Sequence, residues 1–352
     1  MNDSPAAHAR RGAVLGLLAA ALFGLSAPLA KRLLGEMTPQ VLAGLLYLGS
    51  GVGLSVWRFV RPATAEAPIS RADVPLLAAV ALAGGVIGPV LMLVGLSRVS
   101  AVAGSLLLNL EGPFTMAIAV VVFREHLGRY GLAAVGCILL GAFALRFQPG
   151  TFAADPIGVL CIAGACLAWG VDNNLTQRLS LKDPFAIVRI KSLSAGIFNL
   201  TLGLTLGGTL PRIQVVALAL LLGLCSYGAS VVLDAYALRL IGAAREAAYF
   251  ATAPFVGAIG AVVMLGDPLR PYDLIAMLLM ALGVAALLRE RHSHVHGHDE
   301  MTHTHVHVHD EHHRHHREAT ALPDEPHSHE HHHAQLVHDH PHVPDAHHRH
   351  RH

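Results

Sequence analysis

Charged and aromatic residues are scarce in this chain of 352 residues, at 14% and 5% of the sequence. The Lys and Arg residues that are present form no dense basic surface interleaved with aromatic side chains, which excludes nucleic acid as a partner. Only three residues are lysine, against abundant Ala and Gly, a composition that indicates a GC-rich bacterial genome. What remains is an apolar chain, with 53% hydrophobic residues and a mean hydropathy of +0.50.

Cysteine is also rare. The four cysteines all lie within apolar stretches and none belongs to a C-x-x-C pair, which argues against a disulfide framework and against a soft-metal site. The sequence also has no nucleophile motif, no phosphate-binding loop and no catalytic dyad. We therefore expect that the protein is not an enzyme and requires no cofactor.

The chain does contain ten long apolar stretches. A helix of about 20 apolar residues crosses the hydrocarbon layer of a bilayer, so each stretch is long enough for one membrane span. The predicted spans are residues 13–33, 38–59, 74–96, 101–123, 130–147, 157–178, 184–207, 213–236, 246–265 and 271–289. The sequence predicts an all-α membrane protein with ten transmembrane helices, whose main partner is the lipid bilayer.

The distribution of Lys and Arg predicts the orientation. If the N-terminus is cytoplasmic, 13 Lys and Arg residues fall on the inner side and 6 on the outer side. Positively charged loops tend to stay inside, so both termini are predicted to be cytoplasmic, in a bacterial inner membrane.

The second five spans repeat the first five. Pro113 aligns with Pro254 at an offset of 141 residues, and Gly141 with Gly283 at 142 after one inserted residue. We therefore divide the chain into a cytoplasmic N-terminus, two five-helix repeats and a tail, at residues 1–12, 13–147, 148–290 and 291–352. An odd number of spans inverts one repeat relative to the other, an arrangement typical of secondary transporters with a solute site near the midplane.

Over residues 13–290 the chain resembles the two-repeat EamA members of the drug/metabolite transporter superfamily. In that family the fourth helix of each repeat carries a proline, followed by an acidic loop residue and a glycine in the fifth helix. The matching residues are Pro113, Glu125, Gly141, Pro254, Asp267 and Gly283. The family often has Glu directly before the first proline, whereas here Gly112 separates Glu111 from Pro113. The resemblance implies a transporter and leaves the substrate open.

Polar groups inside the spans are the candidates for a solute or coupling site, because a charge in a membrane is costly unless it is paired or hydrated. Asp172, Asn173 and Asn174 in span six lie at the same depth as Arg189 and Lys191 in span seven. This depth predicts an ion pair between Asp172 and Lys191. The alternative is that Lys191 extends to the interface while the asparagines join helices.

Span four carries the second group of candidates, Asn109, Glu111, Gly112 and Pro113. Proline removes a backbone donor, so this helix is predicted to be kinked or opened here, as span nine is at Pro254. Glu111 is then a candidate for binding a cation or proton, or else a carboxyl held by neighbouring helices.

Asp234, Arg245 and Glu246 lie near the inner ends of spans eight and nine. They are either interface anchors or a cytoplasmic gate.

The tail, from His292 onwards, holds 24 histidines and many acidic residues. Its low apolar content predicts disorder, and its imidazoles and carboxylates predict binding of divalent zinc, nickel, cobalt or copper. The predicted metal-binding histidines are His292, His294, His296, His298, His303, His305, His307, His309, His312, His313, His315, His316, His331, His332 and His333.

Three functions fit these observations. The first is a secondary carrier that moves a small organic solute, such as a metabolite, an amino acid or a drug, by alternating access. The second is a divalent-metal exporter fed by the tail, and the third is a membrane-anchored metal buffer or sensor. The sequence leaves the direction of transport, the coupling ion and the oligomeric state open, with a homodimer among the possibilities.

Overall fold

A computed structural model gives the fold of the chain. It describes residues 5–60, 68–123, 128–146, 155–179, 182–241, 243–289 and, in the tail, 292–298, 301–307, 327–333 and 336–342. The first repeat contains α1 (Pro5–Gly24), α2 (Ser26–Leu33), α3 (Pro39–Val60), α4 (Val74–Val80), α5 (Gly88–Arg98), α6 (Ala101–Leu107), α7 (Glu111–Phe123) and α8 (Arg129–Arg146). The second contains α9 (Pro156–Thr176), α10 (Pro184–Thr205), α11 (Ile213–Gly223), α12 (Ser230–Ile241), α13 (Ala243–Phe250), α14 (Ala253–Leu265) and α15 (Pro271–Leu287).

These helices form the ten predicted spans. In the described part of the chain, eight helical segments are long and apolar enough to cross a membrane, and two shorter apolar helices, Arg129–Leu145 and Pro271–Leu287, correspond to spans five and ten. Large apolar side chains such as Phe59, Val121 and Val263 are 78% to 91% exposed, as expected for surfaces that face lipid. The all-helical membrane architecture predicted from the sequence is confirmed.

Five of the spans are interrupted within their length, and a sixth ends in a tight turn. Span one breaks at Leu25, between α1 and α2, and span nine breaks at residues 251–252, between α13 and α14. Span four contains a 3₁₀ turn, Leu108–Leu110, between α6 and α7, and span six ends in a 3₁₀ turn, Gln177–Leu179. The other two interruptions are π-helical segments, Ala81–Ile87 in span three and Leu224–Ala229 in span eight. These two segments are related by an offset of 143 residues, so they occupy equivalent positions in the two repeats.

The repeats pack against each other in a symmetric pattern. Span two packs on span seven, four on nine, five on ten, one on eight, and three on six. A two-fold axis between the repeats would exchange span one with span six, two with seven, and so on. This exchange leaves the first three pairs unchanged and interchanges the last two, so the packing is consistent with the axis. Small residues permit the close approach. A Cβ on Gly141 would lie 2.8 Å from Met280 Cγ, and one on the equivalent Gly283 would lie 2.7 Å from Ile138 Cγ1.

The tail contains strands where the structure describes it. Its described segments form β1 (His292–His298), β2 (Met301–His307), β3 (His327–His333) and β4 (Leu336–His342). Strand β1 pairs antiparallel with β4, and β2 with β3. The physical reason is the sequence pattern, because histidine on alternate residues has the two-residue period of a strand and ladder pairing satisfies the backbone groups. The side chains of this tail, including all its predicted metal ligands, lie outside the described residues.

Candidate functional site

An ion pair lies inside the second repeat. Lys191 of α10 donates a hydrogen bond to Asp172 Oδ2 of α9, and the side chains are only 18% and 8% exposed. Thr176 Oγ1 donates to the other carboxylate oxygen at 3.2 Å. Each charge thereby has a partner in a region where an isolated charge is expensive. The pairing is the one that the matching depth of spans six and seven predicts.

Glu111 of the first repeat joins this pair through Asn173. Asn173 Nδ2 donates to Glu111 Oε1 at 2.8 Å, and this contact is exposed rather than buried. Asn174 Nδ2 donates to the backbone oxygens of Thr115 and Gly170, at 3.1 and 2.8 Å. Span six therefore presents Asp172 to span seven while both asparagines hold span four. The two repeats meet at one polar cluster, which we call the ionic site and define as Glu111, Asp172, Asn173 and Lys191.

The broken helix in span four positions Glu111. Proline at position 113 has no N–H to offer the carbonyl of Asn109, one turn earlier, and the 3₁₀ turn Leu108–Leu110 lies at that point. Glu111 is the first residue of the helix that resumes after the turn. Pro254 in span nine similarly occupies the first turn of α14, where a missing donor costs nothing.

Asn109 does not reach the ionic site, although it is only two residues from Glu111. Its Nδ2 donates to Leu106 O at 2.9 Å and lies 3.7 Å from Met280 Sδ of span ten. The Asn109 side chain therefore bonds within its own helix and faces span ten, the last helix of the second repeat. At Gly112 a Cβ would meet nothing within 4 Å, so no neighbouring group requires glycine there.

The π-helical segment of span three supports the ionic site from the opposite side. The carbonyl of Gly84 accepts from Tyr47 OH at 2.7 Å and from Trp169 Nε1 at 3.1 Å, and the carbonyl of Gly85 accepts from Asn199 Nδ2 at 3.0 Å. Widened turns of this kind free backbone carbonyls and are frequent at functional sites. A Cβ at position 84 would lie 2.0 Å from Asp172 Oδ2, so only glycine fits.

Sequence reasoning missed most of this support. It singled out none of Gly84, Gly85, Tyr47, Trp169 and Asn199 as site residues. The adjacent glycines 84 and 85 were the available signal, but adjacent glycines do not distinguish close helix packing from a π-helical turn. The hydrogen bonds to their carbonyls come from spans two, six and seven, and only the tertiary structure brings these together.

Four aromatic rings, two from each repeat, lie in a chain of contacts beside the ionic site. Tyr47 contacts Tyr227 at a ring-centroid distance of 5.5 Å. Phe23 contacts Tyr227 at 5.9 Å and Phe250 at 5.4 Å. Tyr47 and Tyr227 are buried, whereas Phe23 and Phe250 are partly exposed. Because Tyr47 also bonds to Gly84, the rings and the charged groups form one connected surface.

The remaining predicted residues lie elsewhere. Arg189 is not joined to Asp172, and its buried Nε has no hydrogen-bond partner among the described residues. Asp234 and Glu246 face each other across α12 and α13, and one buried oxygen of each has no hydrogen-bond partner within the described ranges. The side chain of Arg245, like all of Glu125, lies outside the described residues. The roles proposed for these side chains at the cytoplasmic mouth stay predictions.

The fold and site together define a multi-pass membrane protein built from two inverted five-helix repeats that share a polar cluster, the architecture of secondary transporters. Comparison with known proteins gives the family. Residues 10–147 and 156–289 match the EamA-like transporter family. The chain therefore belongs to that family of the drug/metabolite transporter superfamily.

Known relatives agree with this assignment. An uncharacterized transporter of the archaeon Methanothermobacter thermautotrophicus (strain Delta H) is 32% identical over 301 residues, which cover 80% of this chain and 88% of the relative. One solved crystal structure superposes with a TM-score of 0.60 and covers 78% of this chain and 97% of its own. At 18% identity that second likeness concerns the fold alone.

Proposed function

We propose that this transporter is a secondary carrier that moves a small organic solute by alternating access across a bacterial inner membrane, with both termini in the cytoplasm. The observation that carries the proposal is the ionic site. Asp172, Asn173 and Lys191 of the second repeat meet Glu111 of the first, so movement of one repeat against the other changes this cluster directly.

The chemistry of the cluster favours an organic solute. It offers two carboxyl groups and one ammonium, and an ion pair of this kind can exchange partners with a charged metabolite, amino acid or drug. The adjoining rings of Tyr47, Tyr227, Phe23 and Phe250 suit an apolar part of the same molecule. Within the described residues no three His, Cys, Asp or Glu side chains come together as a metal site. This observation favours an organic solute over a metal ion as the cargo.

Thermal-shift screening of the detergent-purified protein tests the proposal. The probes are a panel of amino acids, nucleosides and cationic drugs, with Ni²⁺ and Zn²⁺ as separate metal arms. We expect an organic probe to raise the Tm of the wild-type protein and to lose this effect in Asp172→Asn and Lys191→Met. Ser194→Ala is the matched control, because Ser194 lies on the same helix and bonds only to carbonyls of that helix.

Flux in proteoliposomes then separates the alternatives. Uptake of the organic probe that depends on Asp172 supports the carrier. Transport of nickel or zinc alone, stopped by Asp172→Asn, would instead establish a metal exporter. Absence of all flux would favour a buffer or sensor.

The histidine tail is proposed to bind divalent metal as an accessory of the carrier. Its 24 histidines interleaved with carboxylates provide the ligands that zinc, nickel, cobalt and copper(II) prefer. Truncation after Arg291 should remove most bound metal, measured by equilibrium dialysis with Ni²⁺, and should leave organic-solute flux unchanged. A truncated protein that still moved the solute only when metal was present would contradict the accessory role.

A further inference from the structure

The turn between spans three and four is held by a carboxylate from the other repeat. Asp267, in the loop between spans nine and ten, accepts hydrogen bonds through Oδ2 from Ala101 N at 2.7 Å and Val102 N at 3.3 Å. These are two of the unsatisfied backbone donors at the start of α6. Gly266, with a φ of 70°, ends α14 in the left-handed region and directs the chain so that Asp267 follows at this point.

This contact is additional to the local cap of α6. Ser100 already occupies the N-cap position, and its side chain accepts from Ala103 N at 3.1 Å. Asp267 therefore adds a second cap, supplied across the interface between the repeats. On the other side of the same turn Lys31 donates to the carbonyls of Leu96 and Val99 at the end of α5. An anion at the helix start and a cation at the helix end both match the helix dipoles.

The packing around spans four and nine is asymmetric. At the outer end α6 packs on α14. The equivalent contact at the inner end would join α13 to α7, since α6 and α13 begin at Ala101 and Ala243, within one residue of the 141-residue offset between spans four and nine. The described contacts instead pair α7 with α9, and α13 with α1 and α12. The two spans therefore meet at the outer face and take different partners at the inner face.

We propose that the Asp267 cap is the outer latch of this carrier, closed in the conformation described here, in which α6 packs on α14, and released when the outer face opens. The proposal rests on the alternating access proposed above. A helix cap changes an equilibrium by about 2-fold to 30-fold, which is strong enough to bias two conformations and weak enough to be reversed by a solute.

Cysteine labelling tests the latch without knowledge of the solute. Cys137, Cys161, Cys166 and Cys225 are first replaced, and Ser105→Cys is introduced as the reporter, because Ser105 is fully buried between spans four and nine. A membrane-impermeant thiol reagent is added from the outer side. Thr209→Cys, in the exposed loop between spans seven and eight, calibrates outer labelling in a parallel protein.

We expect Asp267→Ala to raise the labelling rate of Ser105→Cys by about 2-fold to 30-fold, the range of a lost cap. With Asp267→Asn the labelling rate should lie between those of Asp267→Ala and the protein with Asp267 intact, because the amide oxygen still accepts hydrogen bonds but carries no charge. Asp155→Ala is the matched control, since it removes the bond to Arg98 on the same face and leaves the Asp267 cap intact. No change in Asp267→Ala, or an equal rise in Asp155→Ala, would overturn the latch.

A cross-link keeps the proposal testable if Asp267→Ala fails to fold. The pair Ala101→Cys and Asp267→Cys, when oxidised, should hold the outer face closed and keep Ser105→Cys unlabelled. Reduction should restore labelling at position 105, which tandem mass spectrometry distinguishes from labelling of the two freed thiols. Labelling that proceeds at the same rate in the oxidised and reduced forms would contradict the latch. Because neither readout requires flux, failure of the latch and failure of the carrier are distinguished.

Discussion

The two repeats share one scaffold and differ in chemistry at equivalent positions. Asp172 of the second repeat corresponds to Ser26 of the first, and Glu111 of the first corresponds to Thr252 of the second. The charged groups are therefore gathered around one side of the two-fold axis, and the equivalent region on the other side contains Phe23, Tyr227 and Phe250. On the proposed mechanism, symmetry provides two ways to open the molecule, and the departures from symmetry offer a solute one charged and one aromatic surface.

The largest expected effect comes from separating the ionic pair that only the second repeat carries. Lys191→Met leaves Asp172 uncompensated in a buried position and should lower the free energy of unfolding by about 3 to 5 kcal/mol. Asp172→Asn combined with Lys191→Met should recover most of that loss while solute binding stays absent. Denaturant unfolding followed by tryptophan fluorescence measures the first effect, and thermal shift with the organic probe measures the second. A double variant no more stable than Lys191→Met would contradict the pairing.

The next largest effect is expected from replacing Gly84, the glycine that faces Asp172. Gly84→Ala places a methyl group 2.0 Å from Asp172 Oδ2, which Lys191 holds in place, so we expect a loss of about 1 to 3 kcal/mol together with weaker solute binding. Gly112→Ala is the control in span four of the same repeat, because its methyl group meets nothing within 4 Å. Equal stability of the two variants would mean that the close approach of span three to span six is absent.

A smaller effect is expected at Trp169. Its indole donates to Gly84 O, whereas its counterpart in the first repeat, Phe23, has no donor. Trp169→Phe should therefore cost about 0.5 to 1.5 kcal/mol, the usual contribution of one hydrogen bond. The reverse change, Phe23→Trp, should gain no such stability. A cost for Trp169→Phe no larger than that of Phe23→Trp would show that the π-helical carbonyl does not depend on this donor.

The smallest effect concerns the outer surface. Arg98 donates to Asp155 Oδ2 at 2.9 Å and lowers the pKa of that carboxyl below its ordinary value of 3.8. The stabilisation is present above pH 3.8 and is lost as the pH falls through the lowered pKa of the folded protein. The difference in Tm between the wild-type protein and Asp155→Asn should shrink on acidification. Arg98→Gln should weaken this pH dependence without removing it, because Ile157 N still donates to the carboxylate. An equal pH dependence with and without Arg98 would contradict the ion pair.

Particular residues show what could be predicted from the sequence alone. The contact between Asp172 and Lys191 could be predicted from their equal depth in spans six and seven. Consecutive antiparallel spans place residues side by side when they are equally far from the loop that joins the spans. Asn109 was assigned to the same cluster on proximity along the chain, but a 3₁₀ turn rotates it towards span ten. The capping role of Asp267 could not be predicted, since its partners are backbone amides 165 residues away.

The sequence by itself determined the environment, the number of spans and the inverted repeat, because each depends on apolar length and periodicity within one segment. Only the tertiary structure decided which spans meet and where helices loosen into π turns. These outcomes depend on small differences among many Gly, Ala and Leu surfaces of nearly equal hydrophobicity, and on hydrogen bonds between groups that are distant in the chain.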